Sequence, residues 1–272
     1  MVKTNDPALW ADALPWPGAE THKHQRGRLG VVCGGPLRTG AARLAARAGL
    51  RAGAGLVRLL CPPDAAPIVA GTVEAIMVDA FDGPEALARL TEPMQAVVIG
   101  PAAGLEEGTV LNLRAIVAGE AALVVDADAL TIFAGRAADL FGLLGEGDVM
   151  TPHEGEFDRL FPGVLALGRV AAAVQAAETS GAVVVLKGSR TIIAAPDGRV
   201  VVQPPASPWL ATAGSGDVLA GLIGGWRAQG MTAFDAACAA VWMHAEAAAR
   251  FGPGLIAEDL SEQIPAVLRS LR

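Results

Sequence analysis

The sequence predicts a doubly wound α/β domain, a mostly parallel sheet flanked by helices. Three observations lead there. Seven short apolar runs recur along the chain, their hydrophobicity is continuous rather than alternating, and helical patterns lie between them. Continuous apolar runs mark strands covered on both faces, the condition of strands in a parallel sheet. Strand–helix alternation then calls for right-handed crossovers.

Taken in order, residues 29–33 (Leu-Gly-Val-Val-Cys) form the first predicted strand and residues 41–52 a small-residue helix. Strands follow at 56–60, 75–78 and 96–99, a helix at 109–117, and strands at 123–125 and 148–150. A helix at 169–180 precedes the strand 183–186. Residues 191–195 and 199–203, joined by Pro196-Asp197-Gly198, read as a β-hairpin. From Val218 to the end the pattern is almost wholly helical. With no low-complexity linker or internal repeat, residues 1–272 are expected to form one domain, residues 1–20 being an N-terminal extension.

Composition narrows the function. Apolar residues make up 52% of the 272, so there is material for one large core. Aromatics are only 4%, tyrosine is absent and the net charge is −7, which argues against a nucleic-acid surface. Cys33, Cys61 and Cys238 lack metal-like spacing and read as buried thiols of a reducing compartment. No apolar run reaches the roughly 20 residues that span a bilayer, and the N-terminus lacks a signal pattern. The expectation is a cytoplasmic protein with no membrane or nucleic-acid partner.

The segment Ala211-Thr212-Ala213-Gly214-Ser215-Gly216-Asp217-Val218-Leu219-Ala220-Gly221 carries the strongest chemical signal. A small-residue loop running into a helix presents several backbone N–H groups and a positive dipole end to one anion. Gly214, Ser215 and Gly216 form the expected anion hole, and Asp217 stands beside it. That pairing suits phosphoryl transfer, in which the amides hold phosphate and the carboxylate takes a proton from the attacking hydroxyl. Aspartate at a helix start also serves as a plain N-cap. The segment is no Walker A loop, because no Lys-Ser or Lys-Thr follows the glycines, and it lacks the third glycine of the dinucleotide fingerprint.

In a doubly wound sheet, ligands sit beyond the carboxyl ends of the strands. Five segments fall at that rim: Gly34-Gly35-Pro36, Gly100-Pro101, Asp126-Ala127-Asp128, Thr151 to Glu156, and Lys187-Gly188-Ser189. His153 is placed to hydrogen-bond a substrate amide or phosphate, or merely its neighbouring backbone. Asp126 and Glu156 are candidate carboxylates for a hydrated Mg²⁺. Asp128 reads as the cap of a helix beginning at Ala129. Lys187 emerges from a buried strand toward phosphate, and Gly188 allows a ligand to approach the backbone.

Together these segments resemble one family. The match runs from His22-Lys23 through Gly30 to Gly35, Thr39-Gly40-Ala41-Ala42 and Arg51 to Val57. It continues through Ile99-Gly100-Pro101, Val125 to Leu130, Thr151-Pro152-His153-Glu154-Gly155-Glu156-Phe157, Val185 to Gly188, Ala211 to Gly221 and His244. The chain resembles the ADP-dependent (S)-NAD(P)H-hydrate dehydratases of the ribokinase-like superfamily. The resemblance implies dehydration of the hydrated nicotinamide ring while ADP is split to AMP and phosphate. It implies that Ala41, Gly104, His153 and Asp217 line the hydrate site, with Asp217 the catalytic base. Lys187, Gly188, Ser189, Arg190, Thr191 and Gly216 would contact the adenine nucleotide, with Mg²⁺ on its phosphates. The hairpin lies near that nucleotide. A homotetramer is implied, and a separate epimerase polypeptide, since a second domain of roughly 150–200 residues has no room here.

Some positions depart from the family pattern. Gly34-Gly35-Pro36 stands where Gly-Gly-Ser is usual, and Gly100-Pro101-Ala102-Ala103-Gly104 where Gly-Pro-Gly-Leu-Gly is usual. Glu154 replaces a proline, and Ala213 and Ser215 replace glycine and threonine. Two other readings stay open. The loop would equally serve an ATP-dependent kinase of a small hydroxylated substrate such as a hydroxymethyl heterocycle, or a non-catalytic nucleotide-binding relative.

Overall fold

A computed structural model describes residues 2–272. Strand β1 (Lys3–Thr4) is followed by β2 (Arg28–Val32), helix α1 (Gly40–Ala52) and β3 (Leu56–Cys61). Then come α2 (Ala66–Ala70), β4 (Met77–Ala80), α3 (Pro84–Thr91), β5 (Ala96–Ile99), α4 (Glu107–Val117) and β6 (Ala122–Val125). Two short helices, α5 (Asp128–Thr131) and α6 (Ala137–Phe141), lead to β7 (Val149–Met150), α7 (Glu154–Leu160), α8 (Arg169–Ser180) and β8 (Val183–Leu186). The hairpin β9 (Ile192–Ala194) and β10 (Val200–Val202) precedes α9 (Ser215–Ala228), α10 (Ala233–Phe251) and α11 (Ala257–Ser270).

The strands form one sheet in the order β1-β10-β9-β8-β7-β6-β5-β2-β3-β4. The pairs β8–β9 and β9–β10 are antiparallel and the others parallel, so the doubly wound prediction holds. Alternation along each strand builds two cores. Leu29, Val31, Val57, Leu59, Val98 and Val124 face α1, α9, α10 and α11. Val32, Leu60, Val97, Ile99, Leu123 and Val125 face the α3, α4 and α8 side. These side chains are 0–2% exposed, and each contributes roughly 1.5–3 kcal/mol by burial. The continuous apolar runs follow directly, since neither face meets water.

Three local differences have physical causes. The strand expected at 75–78 lies at Met77–Ala80, because pairing of Arg58 with Met77 and of Cys61 with Ala80 sets its register. Asp79, which breaks the apolar run, is held there by Arg58 at 2.6 Å. Strand β1 carries no apolar signal; Asn5 anchors it, its side-chain amide donating to Gln203 at 2.8 Å and to the Cys238 carbonyl at 2.9 Å. Helix α9 starts at Ser215, ahead of the expected Val218, because Gly214 takes φ +87° and turns the chain into the first helical turn. Among the described residues no helix is long and apolar enough to cross a membrane.

Candidate active site

The carboxyl ends of β2, β5, β6, β7 and β8 meet the start of α9, and the five predicted rim segments converge there. Backbone crowding explains the small residues. A Cβ on Gly34 would lie 1.9 Å from the Ala102 carbonyl oxygen, and one on Gly100 would lie 1.7 Å from that of Asp126. The loops after β2, β5 and β6 therefore press on each other through their backbones. Ala102 and Ala127 hold φ +55° and +49° in this packing, a left-handed conformation that costs a non-glycine residue about 1–2 kcal/mol.

Asp128 has a role other than the expected helix cap. The N-cap of α5 is Ala127, without a side-chain cap. The Asp128 carboxylate instead accepts the Gly104 N–H at 2.9 Å, and Thr109 donates to the Gly104 carbonyl at 2.9 Å. These bonds fix the 100–104 loop at the cleft. Recognising them needs the β5 and β6 loops side by side, 24 residues apart in the chain.

The anion loop is shaped by contact as well as by conformation. A Cβ on Gly214 would lie 2.7 Å from the Leu44 side chain and 2.9 Å from Ala257. Ser215 spends its hydroxyl on the Leu210 carbonyl at 2.8 Å and its N–H on the Thr212 carbonyl at 3.4 Å, leaving the Gly214 and Gly216 amides to face an anion. His244, buried in α10, hydrogen-bonds through Nε2 to the Ser215 carbonyl at 2.9 Å. Because that carbonyl can only accept, Nε2 carries the proton. Burial pushes the His244 pKa down to about 4, so the ring is neutral and braces the loop.

Four charged groups gather beside this loop. Lys187 Nζ lies 2.7 Å from Asp126 Oδ1 and 3.9 Å from Glu156 Oε2. It also sits 3.4 Å from where a Gly216 Cβ would stand, against the anion loop itself. Asp126 is 1% and Glu156 6% exposed. Burial works against the Lys187 charge, but Asp126 and then Glu156 outweigh it and hold the ammonium above its ordinary range. Glu156 is pushed upward by burial, with Asp126 adding to the effect and Lys187 opposing it. Asp217, in the first turn of α9, is pushed up to about 6, mainly by burial and then by the charge of Asp126.

His153 is the N-cap of α7. Its Nδ1 accepts from the Gly155 and Glu156 amides at 2.9 and 3.3 Å, while Glu156 accepts the His153 N–H at 2.8 Å. The backbone-bonded alternative thus describes Nδ1, while Nε2 of the half-exposed ring stands 3.4 Å from Glu156 Oε1.

A cavity of about 310 Å³ opens on the other side of Lys187, lined by Gly188, Ser189, Thr191, Gly216, Leu219 and His244 among others. Arg190 does not line it; its carbonyl accepts from Arg169 at 3.1 Å. Arg169 also donates to the carbonyls of Leu186 and Lys187, and a Cβ on Gly188 would meet its guanidinium at 2.6 Å. Nothing in the local pattern around residue 169 signals this clamp, since it depends on α8 packing back on β8.

Fold and site together define a ribokinase-like α/β protein with a glycine-bearing loop at a helix start, a partly buried carboxylate beside it and a cavity along its lysine side. Comparison with known proteins is specific on this point. A profile describing NAD(P)H-hydrate dehydratase matches residues 29–266, and the chain belongs to that family. The ADP-dependent (S)-NAD(P)H-hydrate dehydratase of Xanthomonas campestris pv. campestris is 37% identical, the match covering 97% of this chain and 95% of that one. The bifunctional NAD(P)H-hydrate repair enzyme Nnr of Gloeobacter violaceus is 42% identical over 84% of this chain. This chain spans about half of such bifunctional relatives, 46% of the Gloeobacter protein. The Bacillus subtilis ADP/ATP-dependent NAD(P)H-hydrate dehydratase, co-crystallised with ATP/Mg²⁺, superposes with a TM-score of 0.86 at 26% identity, covering 100% of this chain and 99% of that one.

Proposed function

We propose that this chain dehydrates (S)-NAD(P)H-hydrate at the expense of ADP, releasing NAD(P)H, AMP and phosphate. The observation that carries the chemistry is Asp217, a partly buried carboxylate whose pKa is pushed up to about 6, in the first turn of the helix that ends the anion loop. A base with a pKa near the working pH is the efficient choice for taking a proton from a hydroxyl.

In this reading Asp217 takes the proton of the C6 hydroxyl, whose oxygen attacks the β-phosphorus of ADP. The bond from that phosphorus to the AMP oxygen breaks and AMP leaves with the electron pair. The Gly214 and Gly216 amides and Lys187 hold the transferring phosphate. The C6 phosphate ester then departs with its C–O electrons as the ring nitrogen donates its pair, and loss of a C5 proton restores the dihydropyridine. Ala41, Gly104 and His153 line the hydrate side, and Lys187, Gly188, Ser189, Thr191 and Gly216 the nucleotide side.

Among the described residues no three metal-ligating side chains cluster. Two carboxylates, Asp126 and Glu156, do converge on one point now held by Lys187. That donor set fits a Mg²⁺ brought on the nucleotide phosphates, which commonly takes one or two carboxylates from the protein. Asp126 and Glu156 would hold it, and it would neutralise phosphate charge. The buried thiols Cys33, Cys61 and Cys238 suit the cytoplasm. A homotetramer working beside an epimerase activity completes the proposal.

The test is incubation of purified protein with NADH-hydrate, Mg²⁺ and either ADP or ATP, following the return of NADH absorbance. ADP-dependent recovery on one epimer is expected. Nucleotide binding without recovery would overturn the reading and favour a kinase of another hydroxyl substrate.

A further inference from the structure

The anion loop separates two cavities. The one along Lys187 and His244 lies on the β8–β10 side of the sheet. A second, of about 490 Å³, lies on the β3–β4 side and is lined by Gly40, Arg43, Leu44, Val73, Ile76 and Glu258 among others. Leu44 lines this second cavity, and the same side chain packs against Gly214 of the anion loop. Helix α1, which begins just after the loop that follows β2, runs along the second cavity. Its first turn, Gly40-Ala41-Ala42, offers no bulk to block the passage, and a Cβ on Gly40 would meet nothing within 4 Å.

Three guanidinium groups of α1 line this cavity at successive turns: Arg43, Arg47 and Arg51. Arg47 and Arg51 are both engaged by Glu262, at 2.8 and 2.5 Å. Among the described residues Arg43 joins no salt bridge and makes no side-chain hydrogen bond, although it is partly buried and nearest the cleft. A guanidinium held without a partner beside a roomy cavity is suited to a phosphate, which it can meet with two parallel N–H donors. Glu74 and Glu258 also line the space, so position rather than net charge makes Arg43 the phosphate contact.

We infer that this second cavity takes the phosphate-bearing half of the dinucleotide hydrate, with Arg43 meeting its phosphates. The inference rests on the dehydratase reading. If ADP occupies the cavity along Lys187 and the hydrated ring faces Asp217, the rest of the dinucleotide must leave the cleft on the opposite side. The α1 side offers a roomy cavity, small residues at the helix start and an unengaged cation.

The experiment compares NADPH-hydrate with the hydrate of reduced nicotinamide riboside, which has no phosphate, in wild type, Arg43→Gln, Arg43→Lys and Val73→Trp. Loss of a charge-assisted hydrogen bond should raise KM for NADPH-hydrate about tenfold in Arg43→Gln, with kcat within about twofold. Arg43→Lys, which keeps the charge but not the paired donors, should recover only part of the loss. The kcat/KM for the riboside hydrate should fall far less than that for the dinucleotide. Val73→Trp, which fills the cavity away from Asp217, should also raise KM for the dinucleotide. An equal loss on both substrates, or an unchanged dinucleotide KM in both Arg43→Gln and Val73→Trp, would overturn the inference. Failure of wild type to turn over NADPH-hydrate at all would instead overturn the dehydratase reading.

Discussion

Lys187 and Asp126, 61 residues apart in the chain, form a 2.7 Å ion pair in which the carboxylate is almost wholly buried. Neighbouring strand ends bring them together: Asp126 follows β6 and Lys187 follows β8, with β7 between. The pair holds the ammonium against Gly216, so Asp126 acts on the anion loop through the lysine.

Removing one member of such a pair strands the other. Asp126→Leu should destabilise the protein by about 3 kcal/mol, while the double substitution Asp126→Leu with Lys187→Met should lose less than the sum of the two single changes. Urea unfolding of the four proteins measures the coupling. Strict additivity would show that the pair contributes no specific interaction.

Asp217→Asn should retain nucleotide binding and lose about 10²–10⁴ in turnover, the usual contribution of a positioned base. Isothermal titration with ADP, alongside a hydrate turnover assay, separates the two effects. Near-normal turnover would remove Asp217 from the mechanism.

The pKa of about 6 for Asp217 sets two pH dependences of opposite sense. Activity that needs the carboxylate should rise with pH through about 6 and then level. Stability should run the other way. A carboxyl whose folded pKa lies above its unfolded value of 3.8 binds its proton more tightly when folded, so its contribution is complete below pH 3.8 and lost as pH rises through about 6. Above pH 7 Asp217→Asn should therefore be more stable than wild type by roughly 1–3 kcal/mol, an advantage that shrinks in acid. Thermal melts at pH 4.5 and 8 check the sign.

Backbone crowding at the rim makes two substitutions opposite in effect. Gly100→Ala puts a methyl 1.7 Å from the Asp126 carbonyl oxygen at φ +124°, and should lower stability by more than about 1 kcal/mol and perturb activity. Ala102→Gly releases a left-handed alanine at a position where the family's usual residue is glycine, and should raise stability by about 0.5–1 kcal/mol. Matched denaturant midpoints decide both.

Legibility in the sequence followed the physics of burial. Strands covered on both faces left unbroken apolar runs, so β2, β3, β5, β6, β7 and β8 could be placed within a residue or so. Strand β4, at the sheet edge, mixes Met77 and Val78 with Asp79, and its position depends on register with β3 rather than on its own pattern. Strand β1 is two polar residues held by Asn5, with no local signal at all. At the site, Asp217 and Lys187 stood out because charge appears abruptly beside small or apolar residues. The tie from Asp128 to Gly104, the Arg169 clamp and the ordering of Ser215 by His244 are contacts between distant segments. Residue type and spacing carry no trace of them.

The lysine nested between Asp126 and Glu156 means that the cleft carries its own counter-ion. With Asp217 close by, acids outnumber the single ammonium there, so a bare polyphosphate meets repulsion at the threshold. On the proposed reading, a nucleotide arriving with its own cation would deliver the missing positive charge and let Lys187 turn toward phosphate. The same side chains that balance one another in the cleft would then discriminate between a free nucleotide and one already complexed.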